Sequence, residues 1–530
     1  MLNYVWIGLL FLGLAAGIIT DVSNSTSNKY RNGHPIAIQI GEKLPVEAKS
    51  SDLPVTISKH AFQSVYNSVI ESNISVDMRL TPKGKDKFTA YFKVSEGSPE
   101  IWKEMAQVNG KADDLTGEIL IQNNQAYLFV ENVSFSTIKQ ITDAALNYAK
   151  TAVEIALGLI GIMALWLGIM KVAEEAGLIS IMAKALSPVM KRLFPEVPSD
   201  HPAIGSIIMN ISANILGLSN AATPFGLKAM EELQKLNPVK DTATKAMCMF
   251  LAINTAGLTL IPATAIAIRA AAGSSMPAVI IGTAFFGSLC ATITGIMVAK
   301  IFEGFPLSFA KLRDGFAKNK KLVFGILIIL IGIVVLGVTG LLGKIFSTLD
   351  ADILKEGISL LSVFAIPAII MLFMAYGLYK KLKVYEVFIE GAKEGFNVAV
   401  RIIPYLVGML FAIGIFRAGG AMDFLIYLLR PATDLIGMPA EALPMALMRP
   451  LSGSGSIGIM TEIIAVHGPD TFLGVLVSTF YGSSETTFYV LAVYFGSVNV
   501  KKTRYALTAG LLADLAGVLG ALTIVKLLFG

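Results

Sequence analysis

The chain has 530 residues, 54% of them hydrophobic and 15% charged, against about 25% charged in an ordinary soluble domain. With a mean hydropathy of +0.66, too little polar surface exists to cover a soluble body of this size, which excludes a soluble enzyme, a disordered chain and a nucleic-acid binder. The net charge of +5 comes from short basic loops between apolar runs and points to no polyanion.

Nine stretches approach the roughly 20 mostly apolar residues a spanning helix needs: 3–20, 151–173, 244–270, 276–302, 322–347, 354–379, 394–416, 471–497 and 503–529. The first ends Leu14-Ala15-Ala16-Gly17, compatible with a cleaved signal peptide or with an uncleaved anchor. Residues 21–147 are polar and alternate like strands, with a hairpin turn expected at Asn123-Asn124, so a small extracytoplasmic α/β insert is predicted there. Two further apolar stretches, 201–226 and 441–466, are crowded with Gly, Ser, Asn and Pro and read as re-entrant hairpins. The two cysteines, Cys248 and Cys290, occupy separate apolar segments and make neither a disulfide framework nor a zinc pattern.

Basic clusters set the orientation. Lys184, Lys191 and Arg192, the group from Lys300 to Lys321, Lys380 to Lys383, and Lys501 to Arg504 all fall on one face if nine spans cross and the hairpins do not. That face is expected to be the cytoplasm, with a cytoplasmic N-terminus in the plasma (inner) membrane.

An internal repeat follows from self-comparison. Gly177–Pro188 (GLISIMAKALSP) aligns without gaps on Gly420–Pro431 (GAMDFLIYLLRP), and roughly 150–303 recurs as 394–530. Five spans between the two starts would invert the second copy, and inverted repeats with broken helices are a mark of secondary transporters. The predicted divisions are 1–20, first transmembrane helix; 21–147, insert; 148–303, first repeat; 304–393, connecting helices; and 394–530, second repeat. The fold class expected is an all-α polytopic membrane protein of about nine transmembrane helices, two inverted repeats each with a re-entrant hairpin and a broken helix, and the α/β insert.

The interrupted segments concentrate polar side chains. The first hairpin holds Asn210, Ser212, Asn214 and Asn220, whose amides both donate and accept; they suit a hydroxyl-rich or heterocyclic solute, and equally suit helix capping and close packing. The second holds Arg449, Ser452, Ser454 and Ser456. Arginine at membrane depth normally has a partner, so Arg449 could clamp an anionic group, pair with Glu485 or snorkel; facing a polar cavity is preferred. The first broken span carries Asn254, Thr255, Gly257, Thr259, Pro262 and Thr264, and the second Gly482, Ser483, Ser484 and Glu485. Pro262 frees a carbonyl one turn back, and freed carbonyls with hydroxyls suit sodium. Glu485, Asp514 and Thr259 are the candidates for coupling sodium or a proton, with neutralisation of Arg449 as the alternative role for Glu485. Arg269 and Arg401 lie near span ends and are expected to snorkel; the tyrosines are expected to pack or sit at interfaces. No metal site, cofactor or catalytic residue is predicted. No G-x-S-x-G elbow, H-E-x-x-H zinc motif or phosphate loop occurs.

These segments are similar to known ones. FPEVPSDHPAIGSIIMNISANILGLSNAATPFGLKAMEELQKLNP and FLAINTAGLTLIPATAIAIRA resemble spore maturation protein A, and MRPLSGSGS, HGPDTF and YGSSETTFYVLAVYFGSV resemble spore maturation protein B. The chain resembles a fusion of the two, within a Gate-domain superfamily that also holds concentrative nucleoside transporters and the ferrous-iron permease. The resemblance implies a permease-like membrane fold and an uncleaved first helix. It gives no substrate, and nucleoside-like compounds lead by analogy alone. The expected function is ion-coupled secondary transport of a small polar solute. The expected partners are the lipid bilayer and that solute, with no nucleic acid; a homo-oligomer stays open. The alternative is a non-transporting scaffold or assembly factor of the spore-maturation type.

Overall fold

The computed structural model describes residues 2–41, 50–68, 70–84, 86–108, 113–123, 125–303 and 351–530. It divides into two compact units. One comprises Ile7–Asn147 with Phe411–Phe424, the other Met1–Trp6, Tyr148–Leu410 and Leu425–Gly530.

The first unit contains a closed antiparallel barrel of six strands: β1 (Ile36–Ile40), β2 (Ser51–Ile57), β3 (Ile74–Pro82), β4 (Lys87–Lys93), β5 (Asp114–Gln122) and β6 (Gln125–Val130). Each strand pairs with the next, and β1 closes on β6 with Ala37 opposite Tyr127. The strands alternate because successive side chains point to opposite faces. Val55 and Ile57, Met78 and Leu80, Phe88, Ala90 and Phe92, and Leu128 and Val130 are buried. Lys59–Tyr66 follows β2 and Glu100–Val108 follows β4. They contribute Phe62 and Trp102, both fully buried, with the Trp102 ring 5.5 Å from Phe62 and 5.0 Å from Phe92. Gly117 lets β5 approach β6, since a Cβ there would lie 2.6 Å from the Phe129 carbonyl.

The predicted α/β insert is thus corrected to an antiparallel barrel. The alternation and the hairpin were visible in the sequence, and Gln122 does face Gln125, although Asn124 lies outside the described residues. Closure depends on pairing two strands at opposite ends of the insert, which local periodicity cannot register.

The predicted nine spans are also corrected. Among the described residues, five helices are long and apolar enough to cross a membrane: Trp6–Thr26, Ser136–Glu175, Pro277–Glu303, Val384–Ala418 and Ala506–Phe529. The stretch 244–270 is two short helices, Lys245–Ala256 and Ala263–Ala271, and 471–497 is Phe472–Gly482 and Thr487–Ser497. The stretch 354–379 lies in one helix, Ala351–Tyr379, and 322–347 lies outside the described residues, as do Lys311 to Lys321. Of the five spans between the repeat starts from which inversion of the second repeat was expected, 244–270 is broken and 322–347 lies outside the described residues.

The repeated order of elements is present. Seven helices from Ser136–Glu175 to Ile280–Glu303 are matched in sequence by seven from Val384–Ala418 to Ala506–Phe529. Gly177 (φ +85°) and Gly420 (φ +80°) each precede a 16-residue helix with an internal proline, Pro188 and Pro431. The first hairpin stretch becomes Pro202–Ile215 and Ser219–Leu236, and the second becomes Leu443–Leu451 and Gly453–His467.

Candidate functional site

The site is built where the two interrupted spans abut. Lys245–Ala256 stops because Gly257 takes φ +58° and the chain stays non-helical until Pro262, which has no amide hydrogen. A helix end leaves carbonyls without intrahelical partners. Here the Thr255 carbonyl accepts from the Glu485 backbone N–H at 2.9 Å, and Leu260 N–H donates to the Ile215 carbonyl at 2.7 Å. A Cβ on Gly257 would lie 2.7 Å from Glu485 Cγ, and one on Gly482 would lie 2.7 Å from Ala284 Cβ and 3.0 Å from Pro262 Cβ. Small residues therefore set the distance between the two breaks.

Between them lies a small cavity of ≈ 60 Å³, partly open, lined by Asn214, Gly217, Thr259–Thr264 apart from Leu260, Arg449, Tyr481, Gly482, Ser484 and Glu485. Both hairpins and both breaks contribute. Arg449 is buried at 4% exposure and sits 4.3 Å over the Tyr481 ring. It donates through Nη2 to the Ser484 carbonyl and lies 3.7 Å from Glu485 Oε2. Its Nη1 is 3.5 Å from Thr486 Oγ1, and its Nε has no partner among the described residues. The guanidinium thus faces a polar cavity and pairs with Glu485, which is 37% exposed at its side chain; snorkelling is set aside.

Behind Asn214 runs an amide relay. Asn214 Nδ2 donates to Asn254 Oδ1 at 3.1 Å and Asn210 Oδ1 at 3.4 Å, while Asn210 Nδ2 donates to the Ala222 carbonyl at 2.7 Å and Tyr494 Oη at 3.3 Å. Asn254 Nδ2 donates to the Phe250 carbonyl. Asn210 and Asn254 thus position Asn214 rather than line the cavity. Thr259 lines it, its hydroxyl donating to the Gly257 carbonyl at 2.8 Å.

Other predicted residues are occupied by their own backbone. Ser212 donates to Ile208, Thr255 to Ala252, Ser456 to Ser452 and Ser483 to Thr479, as small hydroxyls do inside helices. Ser452 caps Gly453–His467, accepting from Gly455 N–H at 3.0 Å, and lies 3.4 Å from Ser454 Oγ. The Asn220 side chain lies outside the described residues. Asp514 is buried on Ala506–Phe529 and accepts from Thr487 Oγ1 at 2.6 Å.

Three features were not foreseen. Tyr481 lines the cavity beneath Arg449, while Tyr494 packs as expected, stacked on Phe250 at 5.8 Å, and also accepts from the Asn210 amide. Arg269 does not snorkel: it is fully buried, reaches the Pro469 carbonyl, and pairs with Asp470 Oδ1 at 2.9 Å. Asp470 in turn accepts from Ser275 N–H at 2.7 Å, tying the turn after the first broken span to the turn before the second. A short His-Gly-Pro-Asp turn was the available signal, since Gly-Pro marks a tight loop and Asp can accept several bonds.

Two interrupted helices and two hairpins thus meet at one polar cavity. The family model described as "nucleoside recognition" (Gate) matches residues 156–272 and 399–501, the two stretches that supply this geometry. Spore maturation protein B of Bacillus subtilis (strain 168) is 55% identical over 175 residues, 33% of this chain and 98% of that protein. Spore maturation protein A of the same strain is 43% identical over 166 residues, 31% of this chain and 85% of that protein. The inner membrane protein YjiG of Escherichia coli (strain K12) is 28% identical over 81 residues, 15% of this chain and 53% of that protein. No solved structure matches. The chain belongs to the spore maturation protein family, with counterparts of the A and B proteins in one polypeptide.

Proposed function

We propose that the protein is a secondary transporter of a small polar solute, with residues 148–303 and 394–530 handling the solute and 304–393 connecting them. The supporting observation is the single cavity walled by both Gate-matching stretches, with Asn214 and Thr259 from one and Arg449, Tyr481 and Glu485 from the other. An amide, a guanidinium, a carboxylate and an aromatic face together can bind a polar planar or hydroxyl-bearing molecule. A nucleoside-like solute leads because of the family model's description. Transport is coupled to sodium or protons, with Glu485, Thr259 and Asp514 as the ion-handling groups. In this reading the basic cluster after Ser136–Glu175 is cytoplasmic and the barrel at that helix's other end is extracytoplasmic.

A scaffold of the spore-maturation type is favoured by one observation. The first hairpin is packed solidly, with Ile204, Ile207 and Ile211 against Met247, Phe250 and Leu251. A screen of nucleosides, bases, amino acids and anionic sugars against thermal unfolding of the purified chain separates the two. A bound solute at 100 times its Kd stabilises by about 2.7 kcal/mol, an effect that Arg449→Gln removes. Stabilisation by no compound, together with unchanged metabolite pools in cells lacking the protein, contradicts transport.

A further inference from the structure

Asp514 lies midway along Ala506–Phe529 at 4% exposure. Thr487 donates to its Oδ2, while its Oδ1 has no hydrogen-bond partner among the described residues. An ionised carboxylate taken out of water is costly unless it is paired and fully hydrogen-bonded, and two hydroxyls, Thr487 on Oδ2 and Ser484 nearby, with no cation in direct contact are thin support.

The groups around Asp514 define its charge problem. Leu443–Leu451 and the break after Phe472–Gly482 pack near this helix and bring Arg449 and Glu485, the charged groups that act on Asp514. The remaining titratable groups on packed helices are Cys248, Cys290, Tyr481, Tyr489 and Tyr494, neutral at physiological pH, and Lys245, Lys300 and Glu303 at helix ends, where Lys245 pairs with Glu196 and Lys300 with Glu303. Arg449 is already committed to the Ser484 carbonyl and to Glu485. One guanidinium therefore serves two carboxylates. With both ionised the trio carries a net −1 in a medium that tolerates it poorly; one bound proton makes it neutral, and such a proton belongs to the coupled set.

We propose that Asp514 is a proton-binding site that couples proton movement to occupancy of the cavity. With Arg449 paired to Glu485, the proton sits on Asp514 Oδ1, the oxygen with no donor. When a solute group takes the place of Glu485 on Arg449, the guanidinium no longer neutralises Glu485. The O–H bond of Asp514 then breaks, a new O–H bond forms on Glu485, and Asp514 is left as the carboxylate. Glu485, partly exposed to the cavity, can pass that proton to water. The adjacent hydroxyls of Thr486, beside Arg449, and Thr487, on Asp514, link the two ends of the exchange. The coupling role rests on reading the cavity as a solute site; the protonated state of Asp514 does not.

Infrared spectroscopy of the purified full-length protein without solute tests the site independently of transport. The expected result is a protonated-carboxyl C=O band that disappears in Asp514→Asn, shifts in frequency in Thr487→Val and titrates at a different pH in Glu485→Gln. Thr487→Val keeps the acid and so remains informative if Asp514→Asn fails to fold. Exchange of choline chloride for sodium chloride is expected to leave the band in place. A band lost on adding sodium would reassign the site to sodium. No band attributable to Asp514, or one indifferent to Glu485→Gln, would overturn the proton site. Failure of the solute screen with this band intact would instead remove only the transport reading.

Discussion

The barrel and the cavity between the broken spans handle polar groups in opposite ways. The barrel turns Val55, Met78, Phe92 and Leu128 inward and leaves its ion pairs outside. Arg79 and Asp52 are 60% and 61% exposed, and Lys83 and Glu118 are 61% and 45% exposed. In the helical unit Arg449, Asn210, Asn254 and Asp514 are buried, and backbone groups released by two broken helices pair with each other. Each of the six strands pairs with two neighbours, so the barrel's interior can be apolar. A broken helix frees donors and acceptors that are tolerable at membrane depth only where protein or a polar cavity receives them. Buried polarity therefore marks where a site can be, and the barrel's apolar interior has none of it at these positions.

The largest expected effect lies in the barrel. Trp102→Ala removes the central buried ring and should cost about 3–5 kcal/mol, read as loss of protease resistance across residues 36–130 in the full chain. Solute binding is expected to survive it. A smaller loss follows from Gly257→Ala, which places a side chain at positive φ and 2.7 Å from Glu485 Cγ. It should cost about 1–3 kcal/mol in thermal unfolding and should also weaken solute binding, an effect that leaves the barrel's protease resistance unchanged. The smallest change is expected for the surface pair. The hydrogen bond from Arg79 holds the Asp52 carboxyl below its ordinary value. Any contribution is therefore present above the unfolded-state carboxylate pKa and is lost as pH falls through the lower folded value. Exposed pairs add little, so Asp52→Asn should leave the unfolding midpoint unchanged at neutral pH, and a large shift would break the contrast between the regions.

Much of this contrast was legible in the sequence. Gly257, Pro262 and Gly482 announced interruptions, and Arg449 announced a buried charge, because each residue type carries its physical consequence locally. The strand alternation around Ile119 was equally plain. Other features were not local. Barrel closure joins Ile36 to Leu128, and the roles of Tyr481 and Arg269 depend on partners far along the chain. Ser212, Ser456 and Ser483 donate to their own helices, an arrangement that sequence alone does not distinguish from one that faces a solute. Counting spans failed for a related reason: a broken span of two short helices has the same apolar length as a continuous one.

The most direct test is labelling of single cysteines by a water-soluble thiol reagent, in a Cys248→Ala and Cys290→Ala background, within the full-length protein in membranes. Asn214→Cys, Thr264→Cys and Ser484→Cys occupy different walls of the cavity, whereas Ser212→Cys and Ser456→Cys replace buried hydroxyls bonded to their own helices. Rapid labelling of the first three and none of the last two is expected. Equal labelling of all five, or protection of Asn214→Cys and Ser484→Cys alike, would contradict a water-filled site shared by the two halves.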